Sequence, residues 1–206
     1  MDKTTAQSDL PIFPLGAVLF PDGVLPLRIF EARYMDMIRD CLKKETNFGV
    51  CLITNGSETG KPAKHEAMGC TAHISKWDME QLGLLKIRTI GGQRFEIQDR
   101  QIEADGLIVA QVQYLDVEPD SQIPVDFEPC VQLLKRVVDD LVAKEADEMQ
   151  RMIEAPYRYE SASWVSMRLS EFLPIDVPAK HRMMTMNDPM ARLLMVREFL
   201  REQQIL

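Results

Sequence analysis

The chain has 206 residues, 46% hydrophobic and 27% charged, a make-up that suits one globular domain or two small ones. Its formal charge is −8, and both sides of Pro124 are acidic: 18 acids against 13 bases before it, 14 against 11 after it. This balance disfavours nucleic acid as a partner, and without an apolar stretch of about 18 residues free of breakers no transmembrane helix is expected. The start, MDKTTAQSDL, has no apolar signal-peptide core, so a cytoplasmic location is expected.

Between Leu10 and Ile38 four prolines (Pro11, Pro14, Pro21, Pro26) cut an apolar run into pieces too short for a helix. Proline cannot donate to a sheet ladder, so this opening reads as edge, bend and strand-start material. The period then becomes helical. Phe30, Tyr34, Met37, Ile38, Cys41 and Leu42 share one face of a helix over 30–44, with Asn47 as its stop.

Strands follow. FGVCLIT from Phe48 ends at the turn pair Asn55-Gly56, and the polar segment 57–66 reads as a loop. Residues 69–77 and 84–90 are further strands, Trp77 caps the core, and Gly91-Gly92 is expected to form a tight hairpin into 94–97. There, alternation sends Phe95 inward and Arg94 outward. From Leu107 to Leu115 the alternation is clean, with Ile108, Ala110, Val112 and Tyr114 on one side.

The segment 118–129, with three prolines and four acids, reads as a linker. Helical stripes follow: Val131, Leu134, Val138, Leu141 and Val142, then Val165, Leu169, Phe172 and Leu173 halted by Pro174. Asn187-Asp188-Pro189 is a helix start, a capping side chain followed by proline in the first turn, for a last helix through Met190, Leu193, Leu194 and Leu200. The expected domains are a β-rich 1–117, a linker 118–129 and a helical bundle 130–206.

Catalytic motifs are lacking. Gly56 to Pro62 resembles a P-loop only loosely: its glycines are one residue too close, and Pro62 stands where a hydroxyl must hold Mg²⁺. His65, Cys70 and His73 lack zinc-site spacing, and Cys70 and His73 would point to opposite faces of a strand, so His65 reads as a loop histidine and His73 as a partly buried one. Ser161, Ser163, Ser166 and Ser170 have no histidine nearby in sequence and read as capping or exposed residues. Cys41, Cys51, Cys70 and Cys130 form no CxxC and read as buried, reduced thiols. No catalytic residue, metal or cofactor is assigned.

Several segments in order carry a family resemblance: FPLGAVLFP, LPLRIFEARY, FGVCLI, GCTAHI, GGQRFEI, WVSMRLSEFLPI and NDPMARLLMVREFL. Together they resemble the N-terminal, substrate-binding domain of Lon-type ATP-dependent proteases from about Leu10 to the end. The resemblance implies an α+β fold, a PUA-like partly closed β-barrel or sandwich with one early helix, followed by a C-terminal helical bundle. It also implies a non-enzymatic module that binds unfolded or client polypeptides and works with an ATP-dependent protease or chaperone. Oligomeric state is left open.

Pro21, Leu25, Arg28, Phe30, Glu31 and Arg33 are the candidate lining of a groove for an extended peptide, with Arg94 as a secondary candidate. The plainer reading of Glu31 and Arg33 is that they settle the helix start and brace the preceding loop. A competing reading of the whole chain is a small-molecule or RNA binder, since PUA-like folds can bind RNA; the acidic composition opposes the RNA version.

Overall fold

Prolines shape the beginning of the fold as well as its sequence. In the computed structural model, which describes residues 8–81, 83–144 and 147–206, the first apolar run becomes two strands, β1 (Ser8–Leu15) and β2 (Val24–Ile29). Contrary to expectation, β1 is not an edge. It pairs parallel with β3 (Phe48–Asn55) and antiparallel with β6 (Ile108–Tyr114). Two prolines are tolerated because the two ladders overlap only at Ile12. Pro11 precedes the β3 ladder and Pro14 follows the β6 ladder, so each has an open side for its missing N–H.

Helix α1 (Ala32–Lys44) starts later than the periodicity suggests, and its buried face includes Tyr34, Met37, Ile38 and Cys41. Phe30 lies before it and is exposed. The helix stops at Glu45, whose left-handed φ of 53° ends the turn, rather than at Asn47.

The largest correction concerns Gly91-Gly92. These residues lie inside one long strand, β5 (Leu84–Ile102), paired with a nearly as long β4 (Lys64–Gln81) that takes in the end of the expected 57–66 loop. The glycines are required by close approach, not by a turn. A Cβ on Gly91 would lie 1.9 Å from the Phe20 carbonyl oxygen, and one on Gly92 would lie 2.6 Å from Thr71 Oγ1. The ladder slips register here, between Cys70 and Ala72, as a bulge.

The sheet runs β2-β5-β4-β3-β1-β6, and β6 also pairs with the second half of β5, so it is partly closed. Ile38 of α1 packs with Phe48 and Ile87 in one apolar cluster, while Ile12, Phe95 and Val112 form another. These elements belong to a compact unit, Met1–Asp116.

The second unit, Val117–Leu206, is helical: α2 (Glu128–Lys144), α3 (Ala162–Phe172), α4 (Val177–Thr185) and α5 (Pro189–Glu202). Leu134, Val138, Trp164, Leu169, Leu193 and Val196 meet in its core. The segment read as a linker contributes to this unit, since Glu118 is buried and ion-paired to Arg192 of α5. Ser161 caps α3, but Ser166 and Ser170 are fully buried, not exposed. Ser166 accepts from Arg192 Nε at 3.0 Å, and Ser170 donates to the Ser166 carbonyl at 2.7 Å. No helix among the described residues is long and apolar enough to cross a membrane.

Candidate functional site

Among the described residues β2 is the strand with a single neighbour. Its register on β5 runs from Val24↔Ile90 to Ile29↔Leu85, which leaves its outer edge open. Leu25 and Leu27 are half-buried against the core, and the Leu25 carbonyl accepts from Thr89 Oγ1 at 2.8 Å. Arg28 is exposed, and the strand delivers the chain to Phe30, which is 59% exposed. Pro26 withholds one N–H and Arg28 adds a charge, devices that keep an open edge from pairing with its own kind.

The candidate lining residues divide into two groups. Pro21, Leu25, Arg28 and Phe30 lie along this edge. Pro21 is half-buried in the turn before β2, where Asp22 donates its N–H to the Gly91 carbonyl at 2.8 Å. Phe30 follows the far end of the strand, about 20 Å from Val24 at ~3.3 Å per residue. Glu31, Arg33 and Arg94 face other partners.

Glu31 Oε2 pairs with Arg33 at 2.8 Å, and its Oε1 accepts from the Gly60 N–H at 2.7 Å. Arg33 is buried, donates to the Gly106 carbonyl at 3.1 Å, and lies 4.6 Å over the Tyr34 ring. Tyr34 in turn stacks on Phe13 with centroids 4.0 Å apart. Burial raises the Tyr34 phenol above its ordinary value, the Arg33 charge only partly offsetting it. The pair therefore ties the loop around Gly60 and the turn at Gly106 to the start of α1. In the same loop, Glu58 accepts from the Gly16 N–H at 2.8 Å.

Arg94 does not point outward. It is 4% exposed, sits on β5 beyond the end of the β2 ladder, and is paired opposite Cys70. Its neighbour Phe95 is fully buried as well, so β5 is covered on both faces here and simple alternation fails.

Other candidates are also relocated. Trp77 lies within β4 and is 57% exposed rather than capping the core. His65 is buried in β4 while His73 is exposed, the reverse of expectation, because β4 begins at Lys64. No cluster of three His, Cys, Asp or Glu that could hold a metal ion occurs among the described residues. The four cysteines are buried thiols outside any disulfide, and burial raises the Cys51 thiol, keeping it protonated and unreactive. Sequence reasoning missed the Trp77 surface and the contact of His65 with Arg100 across two strands. The charged neighbours of Trp77, Lys76 and Asp78, are the one local signal of its exposure.

Comparison with known proteins agrees with this architecture. The family model for the ATP-dependent protease La (LON) substrate-binding domain matches residues 9–202. The crystal structure of a Lon N-terminal domain protein from Xanthomonas campestris superposes with a TM-score of 0.71 at 29% identity, covering 93% of this chain and 98% of that one. The N-terminal domain of a Mycobacterium avium complex Lon protease shares the fold, with a TM-score of 0.59 at 13% identity over 93% of this chain and 97% of that one. Cereblon from Danio rerio is 32% identical over 62% of this chain, and cereblon from Gallus gallus is 29% identical over 56%. Those matches span only 30% and 25% of the cereblon chains. The chain belongs to the family of the ATP-dependent protease La (Lon) substrate-binding domain.

Proposed function

We propose that this protein is a non-enzymatic recognition module that binds extended segments of unfolded or client polypeptides, and that it serves a protease or chaperone as an adaptor. The observation that carries the reading is the open edge of β2, which ends in an exposed phenylalanine. A peptide added to that edge gains backbone hydrogen bonds without regard to its sequence, and Phe30 offers an apolar contact for its side chains. Arg28 beside them favours segments of neutral or acidic character, and Pro21 and Leu25 extend the apolar strip. Glu31 and Arg33 support the site by fixing where β2 passes into α1.

The test is binding of a reduced, alkylated, permanently unfolded protein, followed by fluorescence anisotropy. Burying a phenylalanine side chain is worth about 1.5–3 kcal/mol, so Phe30→Ala is expected to weaken binding at least tenfold. Arg94→Lys, away from the edge, is expected to leave affinity unchanged. Equal affinity of Phe30→Ala and the parent chain would sink the edge reading.

A further inference from the structure

The ladder between β4 and β5 ends at Met68↔Glu96. Before Met68, β4 stays on β3 through Ile53↔His65 and Asn55↔Lys64, whereas Ile97 to Ile102 of β5 turn to β6. Two neighbouring strands therefore diverge, each with a ladder edge facing the space between them. That cleft has a volume of about 350 Å³ and is lined by His65, Ala67, Ile97, Gln98, Asp99 and Arg100. Facing strand edges that do not pair with each other form a slot for the backbone of another extended segment.

One contact crosses the cleft. Arg100 Nη1 lies 2.9 Å from His65 Nε2, and His65 Nδ1 lies 2.8 Å from the Glu66 carbonyl oxygen. A guanidinium can only donate, so Nε2 must accept and Nδ1 must carry the proton that it donates to Glu66. His65 is therefore neutral here, and a cation is held by an uncharged ring. The nearby carboxylate of Asp99 is turned to the backbone instead, its Oδ1 accepting from the Arg100 N–H at 2.8 Å. A carboxylate is the better partner for a guanidinium.

We propose that this cleft is a second binding site, for an extended segment bearing a carboxylate that replaces the His65–Arg100 contact and bonds both side chains. To donate to that carboxylate, Nε2 of His65 must gain a proton, so binding takes up one proton from solvent. The charged groups around the ring are Arg100 and Asp99 from β5 and Glu66 from β4; Cys51, across on β3, remains a neutral thiol. Burial first, then the Arg100 charge, holds the imidazole below its ordinary value, and a bound carboxylate opposes both. The site is separate from the β2 edge and does not depend on that edge binding polypeptide.

The test uses the full chain, isotope-labelled for NMR, and a short acetylated valine–threonine peptide ending in a free carboxylate. Two control peptides separate the sources of the carboxylate: one amidated at its end, and one amidated but carrying a glutamate. The free acid is expected to shift the signals of His65 and Arg100, with affinity falling about tenfold per pH unit above the His65 titration. Amidation should weaken binding at least tenfold, and the glutamate should restore it if a side-chain carboxylate serves as well as a terminal one. Arg100→Gln, at an exposed position, should lose at least tenfold for the free acid and nothing for unfolded protein at the β2 edge. His65→Gln should abolish the pH dependence. Equal binding of acid and amide, affinity constant between about pH 5 and 8, or shifts confined to other residues would each overturn the proposal.

Discussion

All ten glycines lie in the first unit, Met1–Asp116, and none in the second, Val117–Leu206. In the sheet unit, backbones and side chains meet so closely that several positions exclude a Cβ. One on Gly69 would lie 2.4 Å from the Val50 carbonyl oxygen, and one on Gly91 would lie 1.9 Å from that of Phe20. The helical unit relies instead on side chains that finish its backbone. Ser161, Asp176 and Asp188 cap α3, α4 and α5, while α1 of the sheet unit has no side-chain cap. One unit is specified by what its positions leave out, the other by polar groups its positions supply. This contrast also sets where each unit is fragile, and one tryptophan in each, Trp77 and Trp164, lets the two be followed separately.

The largest effect is expected in the helical unit. Arg192 is fully buried, pairs with Glu118 and donates to the Met186 carbonyl at 2.9 Å. Arg192→Met leaves a buried carboxylate without its cation and should cost about 3–5 kcal/mol. The double variant Glu118→Met/Arg192→Met should recover most of that loss, because the desolvation penalty vanishes with the pair. Urea unfolding read at Trp164 measures both, and a double variant as unstable as the single one would count against the buried pair as the cause.

Gly91→Ala probes the opposite principle in the sheet unit. The added methyl group meets the Phe20 carbonyl, which accepts from the Gly23 N–H at 2.8 Å, and Gly23 is itself tied to Gly91 by the Gly91 N–H bond to its carbonyl, so the turn must move. A loss of about 1–3 kcal/mol, the cost of overpacking, is expected in unfolding read at Trp77. Removing the α5 cap should cost less. Asp188 accepts from the Met190 and Ala191 N–H groups, both at 3.0 Å, and Asp188→Ala should cost about 1 kcal/mol. Asp188→Asn should retain most of it.

The smallest effect is a pH dependence. The folded state holds His65 below its ordinary value, so it binds fewer protons than the unfolded state in that window. The resulting stability is fully present above about pH 6.5 and is lost as pH falls through the depressed folded value. Arg100→Gln removes one of the two lowering causes and should flatten this decline in Trp77-detected unfolding. A steeper decline in the variant would contradict the assigned cause.

The helical unit was the more legible half of the sequence because its signals are local. Asp188 before Pro189 marks the start of α5, and Pro174 follows the end of α3. Even α4, which the apolar stripes do not announce, carries Asp176 as its cap and Pro178 in its first turn. The sheet was read correctly in its strand-forming runs and wrongly at the joints. Gly91-Gly92 has the look of a hairpin turn, but the Phe20 carbonyl that demands Gly91 comes from a segment about seventy residues earlier. The prolines of β1 suggested an edge, since nothing nearby shows that its two ladders overlap at one residue.

The candidate site divides along the same line. By itself the sequence determined the family, the helical period, the capped starts and the proline-broken strip in which Pro21, Leu25, Arg28 and Phe30 lie. These depend on spacing within one turn or one strand. Only the tertiary structure decided that β2 is the open strand, that Glu31 and Arg33 are tied to Gly60 and Gly106, and that Arg94 is buried. It alone brought His65 to Arg100, where β4 and β5 part. Which edge stays unpaired, and which charge meets which partner, depends on strand register between distant segments, and register leaves little trace in local sequence.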